Sequence, residues 1–233
     1  MSNLIDLAPY YEQQRRLATA VIHTDRLPDP VRFIGGVDVA YLEKEDRMIG
    51  AVVVLDAHTL EPVEAAYHEM EITFPYIPGL FSFREIPPLL VAFHELVLKP
   101  DLLICDGHGV AHPKGLGMAA HLGLLLDVPT IGCAKSRLVG SWETGRLGKN
   151  KGAATPLLLN GTPLGTVLRT RHGVKPVFVS TGHRVSLATA VKWVLRATPK
   201  YRLPETTRRA DQLVNELRKK AKATAADNAE KKH

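Results

Sequence analysis

Residues 33–41 read FIGGVDVAY, and MIGAVVVLDA follows at 48–57 after the charged pentad EKEDR. The first run alternates and the second is almost wholly apolar. A short polar break between two such runs is what a hairpin needs. A third stretch, EPVEAAYHEMEIT at 61–73, reads as a more exposed strand. Three consecutive strands with short turns predict an antiparallel meander. Further on, LLIC (102–105) and TIGC (130–133) are short and fully apolar. Strands of that kind belong to a sheet covered on both faces. A Gly/Ala-rich helix is expected between them, at about 115–126. Leu164–Arg169 and Pro176–Ser180 read as late strands. A meander followed by strand–helix–strand units predicts an α/β fold, a mixed sheet flanked by helices.

The remaining segments fit around this sheet. Residues 8–27 read as a helix with Gln13, Gln14, Arg15 and Arg16 on its polar face. Residues 86–98 have helical spacing, with Pro87 and Pro88 expected in the first turn, where proline is tolerated. Ser186 is placed to cap a helix reaching about Ala197. Thr206 is expected to open the last helix, to about Lys220, with Ala210, Leu213, Val214 and Leu217 as its core stripe. The Gly-rich segment 140–163 is expected to be a loop or weak hairpin. Residues 1–220 thus form one domain, and 221–233 a polar, basic, disordered tail.

Composition narrows the setting. The 233 residues carry 45% hydrophobic and 23% charged side chains, ordinary for a globular chain. No run approaches a membrane span, and the N-terminal MSNLIDLAPYYEQQRRL lacks the apolar core of a signal peptide. Cys105 and Cys133 form no CxxC pair, which fits a reduced, cytoplasmic protein. Net charge is +6, but six Lys/Arg against two acids lie between Arg218 and His233, so most of the excess sits in the tail. A basic balance located there is weak support for a nucleic-acid partner.

Four acids and one lysine could carry chemistry. Asp38 interrupts an apolar strand, where an unpaired carboxylate costs several kcal/mol by order of magnitude. It therefore needs a partner, unless the strand is an edge open to water. Gly35 and Gly36 are expected to leave space beside it for a ligand. Asp106 follows LLIC directly and precedes Gly107-His108-Gly109, at the carboxyl end of a strand, where ligands gather in α/β sheets. A turn-forming Asp-Gly pair is the plain alternative. Paired carboxylates with few other ligands suit Mg2+. Glu85 is a further ligand or base candidate, against a helix-capping role in Ser82-x-x-Glu85. Lys135, after TIGC, could neutralise phosphate charge at the same edge, or be a plain surface lysine. His108 and His112 do not form a helical HxxxH site, because Gly109 and Pro113 intervene. His183 and Arg184 precede a helix N-terminus, a phosphate-facing position. Asp211 is most simply explained by an ion pair with Arg208. Spacing alone supports a Mg2+-dependent phosphodiester hydrolase and names no substrate.

One more stretch is odd. In FPYIPGLFSFRE (74–85), Pro75 and Pro78 stiffen Tyr76 and Ile77 in an irregular segment. Together with GGVDVAY, DLLICDGHGVAHP, DVPTIGCAK, STGHRVS and YRLPETTR, in this order, it resembles endonuclease V. The resemblance spans about residues 35–210. It implies a ribonuclease H-like fold and a nuclease using Mg2+, with Mn2+ as a substitute. Its implied substrate is DNA containing deoxyinosine, with inosine RNA a second candidate. It implies a nick at the second phosphodiester bond 3′ to the lesion, leaving 3′-hydroxyl and 5′-phosphate ends. It also implies that Asp38, Asp106 and Glu85 bind metal, with Asp211 an outer ligand. Tyr76 matches the tyrosine of a strand-entering wedge, flanked by Pro75, Ile77, Pro78, Gly79 and Leu80. Lys135 and His112 match substrate-facing basic groups, and Gly107, His108, Gly109 and His183 complete the expected nucleic-acid contacts. A monomer with no membrane association is expected. Two alternatives stand beside this reading: a structure-specific nuclease of the same fold, and a non-catalytic nucleic-acid-binding protein.

Overall fold

The computed structural model describes residues 5–42 and 46–230. The meander is present: β1 (Phe33–Leu42), β2 (Arg47–Asp56) and β3 (Pro62–Glu71) pair antiparallel in sequence order. Glu43, Lys44 and Glu45 of the expected hairpin loop lie outside the described residues. β4 (Leu102–Cys105) runs parallel to β1, and β5 (Thr130–Ala134) parallel to β4. β6 (Ala154–Leu159), β7 (Thr162–Leu168) and β8 (Val177–His183) extend the sheet antiparallel, giving the order β3-β2-β1-β4-β5-β8-β7-β6. The segment read as a loop or weak hairpin is a true hairpin in its second half. Its turn, Asn160-Gly161, has φ of +51° and +81°. Asn-Gly with two positive φ values is a two-residue turn whose twist matches the strands.

Helices cover both faces. α2 (Phe81–Glu95) and α3 (Met118–Leu126) pack on one, with Ile86, Leu89, Phe93 and Leu122 against Val37, Val52, Leu103 and Cys105. α4 (Leu187–Arg196) and α5 (Glu205–Glu230) cover the other, with Val194 and Ala210 against Ile34, Val53, Ile104 and Ile131. Ser186 caps α4 by accepting from the Thr189 N–H, as expected. α1 (Ala8–Thr19) lies against α3 and ends eight residues before the expected position.

Three further expectations need correction. α2 begins five residues early, so Pro87 and Pro88 sit inside it. They remove two backbone bonds, and burial of Ile86, Leu89, Ala92 and Phe93 outweighs that loss. α5 continues to Glu230, so the tail expected to be disordered is helical up to there; its Ala- and Lys-rich residues are strong helix formers. Residues 231–233 lie outside the described residues. Finally, Gly35 and Gly36 leave no ligand space beside Asp38. A side chain at Gly36 would strike the Thr206 carbonyl, and one at Gly35 would strike Leu103 and Pro100. Gly36 lets the N-terminus of α5 rest directly on β1, and Gly35 lets Pro100 and Leu103 close in on the same strand.

Candidate active site

The parallel register sets Val37 beside Cys105, which brings Asp38 and Asp106 abreast one residue later. Asp38 faces the α5 side: Gly36 and Ala40, two residues either way, meet Thr206 and Val214. Its carboxyl is pushed up to about 7, first by burial and then by the charges of Asp106 and Asp211; a bond from the Val39 N–H and the Lys135 charge oppose this. Asp106 forms an ion pair with the Lys135 ammonium, which is half-exposed. Burial works against that ammonium, but contact with Asp106 and the charges of Asp38 and Asp211 hold its pKa above the ordinary lysine value.

Glu85 reaches the same region from α2. Burial raises its pKa to about 7, aided by Asp38 and Asp106 and opposed by a hydrogen bond from Tyr41. The Tyr41 hydroxyl donates to Glu85 Oε1 at 2.9 Å, and the Arg84 guanidinium lies 5.1 Å over the Tyr41 ring. The capping alternative for Glu85 fails. Leu80 is the N-cap and has no side-chain cap bond, and the Ser82 hydroxyl is 2.9 Å from His121 Nδ1 instead. Asp211 does not pair with Arg208. Arg208 bonds Glu205 at 2.9 Å and stacks 3.7 Å over Tyr201. Asp211 remains an exposed carboxylate whose charge is felt at both Asp38 and Lys135.

The metal question turns on this donor set. Among the described residues, no three His, Cys, Asp or Glu side chains are drawn together tightly enough to hold an ion as they stand. The donor chemistry nevertheless fits a hard divalent cation. Asp38 and Glu85 are half-buried acids, each pushed up to about 7 first by burial and then by neighbouring carboxylate charge. A cation there would let both ionise.

The loop from Asp106 to Gly117 closes one wall. Gly109 N–H donates to Ser180 Oγ at 3.0 Å and Val110 N–H to the Thr181 carbonyl at 2.8 Å, pinning the loop to β8. His112 is held neutral: burial lowers its pKa to about 4, helped by His108 and Lys114. Its Nδ1 accepts from the Lys114 N–H at 3.2 Å, so the proton sits on Nε2. The expected basic group is therefore a neutral hydrogen-bond donor. His108 Nδ1 is buried without a partner. His183 does not belong here. It pairs with Thr130 at the start of β5, opposite the end carrying Lys135, and is 3% exposed.

The proline-stiffened segment forms the other wall. Tyr76 is 65% exposed, with its ring edge-on to Phe81 at 5.9 Å. Leu80 N–H donates to the Ile77 carbonyl at 2.9 Å, and Gly79 has φ +85°. Pro78 and Gly79 are the central residues that a type II turn favours. Leu80 is fully buried and anchors the turn, so it is not available to a ligand; Gly109 is buried as well. Sequence reading missed the supports: Tyr41 under Glu85, Arg84 bonding the Phe74 carbonyl at 2.6 Å, and Arg202. Arg202 holds the carbonyls of Lys135, Lys175 and Pro176. The run YRLPETTR, already conspicuous, was the available signal for that arginine.

Comparison with known proteins agrees with this geometry. The family profile for endonuclease V matches residues 15–212. Endonuclease V of Nostoc punctiforme is 50% identical over 202 residues, covering 87% of this chain and 90% of that protein. The crystal structure of Streptomyces avermitilis endonuclease V superposes with a TM-score of 0.88 at 46% identity, covering 95% of this chain and 96% of that one. Ciona intestinalis endonuclease V, solved with a 24mer DNA containing an inosine followed by a ribo-adenosine, gives 0.81 at 28% identity over 92% and 98% of the two chains. The chain belongs to the endonuclease V family, with its ribonuclease H-like fold.

Proposed function

We propose that this protein is a Mg2+-dependent repair endonuclease that recognises deoxyinosine and nicks the same strand at the second phosphodiester bond on the 3′ side. The observation that carries the reading is the union of probe and carboxylate in one stretch. Tyr76 stands exposed on a rigid turn, and nine residues later Glu85 shares its electrostatic environment with Asp38 and Asp106. A purine altered only at its pairing edge is best inspected outside the stack, at a cost of a few kcal/mol. Tyr76, with Pro75, Ile77 and Pro78 around it, would fill the gap the base leaves.

Asp38, Asp106 and Glu85 would hold the metal, with Asp211 as an outer partner. The bound ion would supply activation of water and charge stabilisation at the scissile phosphate. Lys135 offsets phosphate charge beside Asp106. His112 offers its Nε2–H as a neutral donor to a phosphate or base. The Asp106–Gly117 backbone, pinned to β8, keeps the wall behind the base fixed.

Labelled oligonucleotides with and without one deoxyinosine, with Mg2+ or with EDTA, test the reading. Cutting restricted to the deoxyinosine strand with Mg2+ is expected. Equal cutting of both oligonucleotides would overturn it. Because the Ciona protein was captured on a DNA with a ribonucleotide after the inosine, an inosine-containing RNA belongs in the same panel.

A further inference from the structure

α1 is a polar helix, and Gln14 is its one buried residue, 1% exposed. Its amide is not spent within its own helix. Nε2 donates to the Gly79 carbonyl at 2.6 Å, across 65 residues of sequence. Gly79 is the bend of the turn that follows Tyr76. Two further contacts tie the same helix to the same segment: the Tyr10 ring meets Phe74 at 4.7 Å and Phe83 at 5.4 Å, both edge-on. Toward its C-terminal end α1 packs Leu17 and Ala18 against Leu116 and Ala120, at the base of the Asp106–Gly117 loop. One helix therefore joins the two loops that wall the site.

We infer that Gln14 is a positioning residue for lesion recognition: through the Gly79 carbonyl it fixes the turn that presents Tyr76. The physical reason lies in the turn's exposure. Nothing lies within 4 Å of where a Gly79 side chain would be, so no packing steadies the bend from that side. Backbone bonds within the turn fix its shape but not its direction. A buried amide from a neighbouring helix sets the direction, and loss of the donor would leave the Gly79 carbonyl without its partner. Gln14 touches neither the metal-binding carboxylates nor the scissile bond in this reading, so it acts on recognition alone.

The inference rests on the proposed function, and one experiment separates the two. Single-turnover cleavage of a deoxyinosine duplex, titrated with enzyme, yields a half-saturating concentration and a plateau rate. Gln14→Met keeps the side-chain length and removes the donor. It is expected to raise the half-saturating concentration about tenfold and leave the plateau rate within about twofold. In a Tyr76→Ala background, Gln14→Met should add less than about twofold, because the residue it positions is gone. Gln14→Leu also removes the donor at similar volume, and should raise the same constant if Gln14→Met folds poorly. An unchanged half-saturating concentration, a loss confined to the plateau rate, or a full additional tenfold in the Tyr76→Ala background would each overturn the inference. Wild-type protein that cuts plain and deoxyinosine duplexes alike would sink the proposed function, and this inference with it.

Discussion

Asp38 is where stability and function pull apart. Its carboxyl is inside the sheet, beside two other acids, and is held near pKa 7 in the absence of a cation. An ionised carboxylate there is a net cost at neutral pH, offset in part by the Val39 N–H bond and the Lys135 charge. Asp38→Asn removes the charge and keeps the shape. The metal-free variant should therefore be more stable than the parent at pH 7.5, by about 1–2 kcal/mol, or roughly 2–8 °C in Tm. The same variant should lose cleavage. Calorimetry in EDTA checks the first statement and the oligonucleotide assay the second; a destabilised variant would mean that the carboxylate is satisfied without metal. Lys135 and Asp211 show how far residue reading reached. Lys135 was expected at the right edge and Asp211 in an ion pair with Arg208, but the relation of both to Asp38 is electrostatic and spans three elements, which no local spacing encodes. His183 shows the opposite: a helix N-terminus signal was present, but β8 carries the residue to the wrong end of the sheet.

Elements matter here by how closely they approach. α5 can carry Asp211 to Asp38 only because its first turn lies against β1 at Gly36. Gly36→Ala is predicted to cost about 2–3 kcal/mol by overpacking, since the obstacle is the Thr206 carbonyl rather than a side chain able to swing away. Cleavage should fall as well, as α5 shifts relative to β1. Urea unfolding gives the first number, and an unchanged midpoint would show that α5 yields freely. α2 teaches a different lesson. Its two prolines argued for a late start, because propensity was weighed without the sheet beneath. The apolar face of Ile86, Leu89 and Phe93 decides the helix instead. The early start places Ser82 against His121 and turns Glu85 inward, so the capping alternative disappears with it.

Across the whole molecule, buried titrating groups set opposing pH trends. His112 and His121 have pKa values lowered to about 4 by burial, below the unfolded value of about 6.5. Their stability contribution is fully present above about pH 6.5 and is lost as pH falls towards 4. Asp38 and Glu85 run the other way. Their folded pKa values, about 7, exceed the ordinary values of 3.8 and 4.5, so stability falls as pH rises from about 4 to 7 in metal-free protein. The two trends offset each other in the parent. Asp38→Asn removes part of the falling one, so its urea midpoint should climb more steeply between pH 5 and 7 than the parent's. Equal slopes would mean that Asp38 ionises normally in the folded chain.

What the sequence determined by itself was the order of every strand but β6, the helices' existence and the candidacy of Asp38, Asp106, Glu85 and Tyr76. Those follow from local causes: alternation, apolar runs, proline stiffness and an acid where burial should forbid one. Tertiary structure alone decided how the groups meet. It set Asp38 abreast of Asp106 through parallel register and filled the expected space at Gly36 with α5. It also turned Gln14, expected on a polar face, into the buried support of the Tyr76 turn. Such outcomes depend on contacts between segments dozens of residues apart. Their energies come from packing and from charges that sum across elements, and neither leaves a mark in any short stretch of chain.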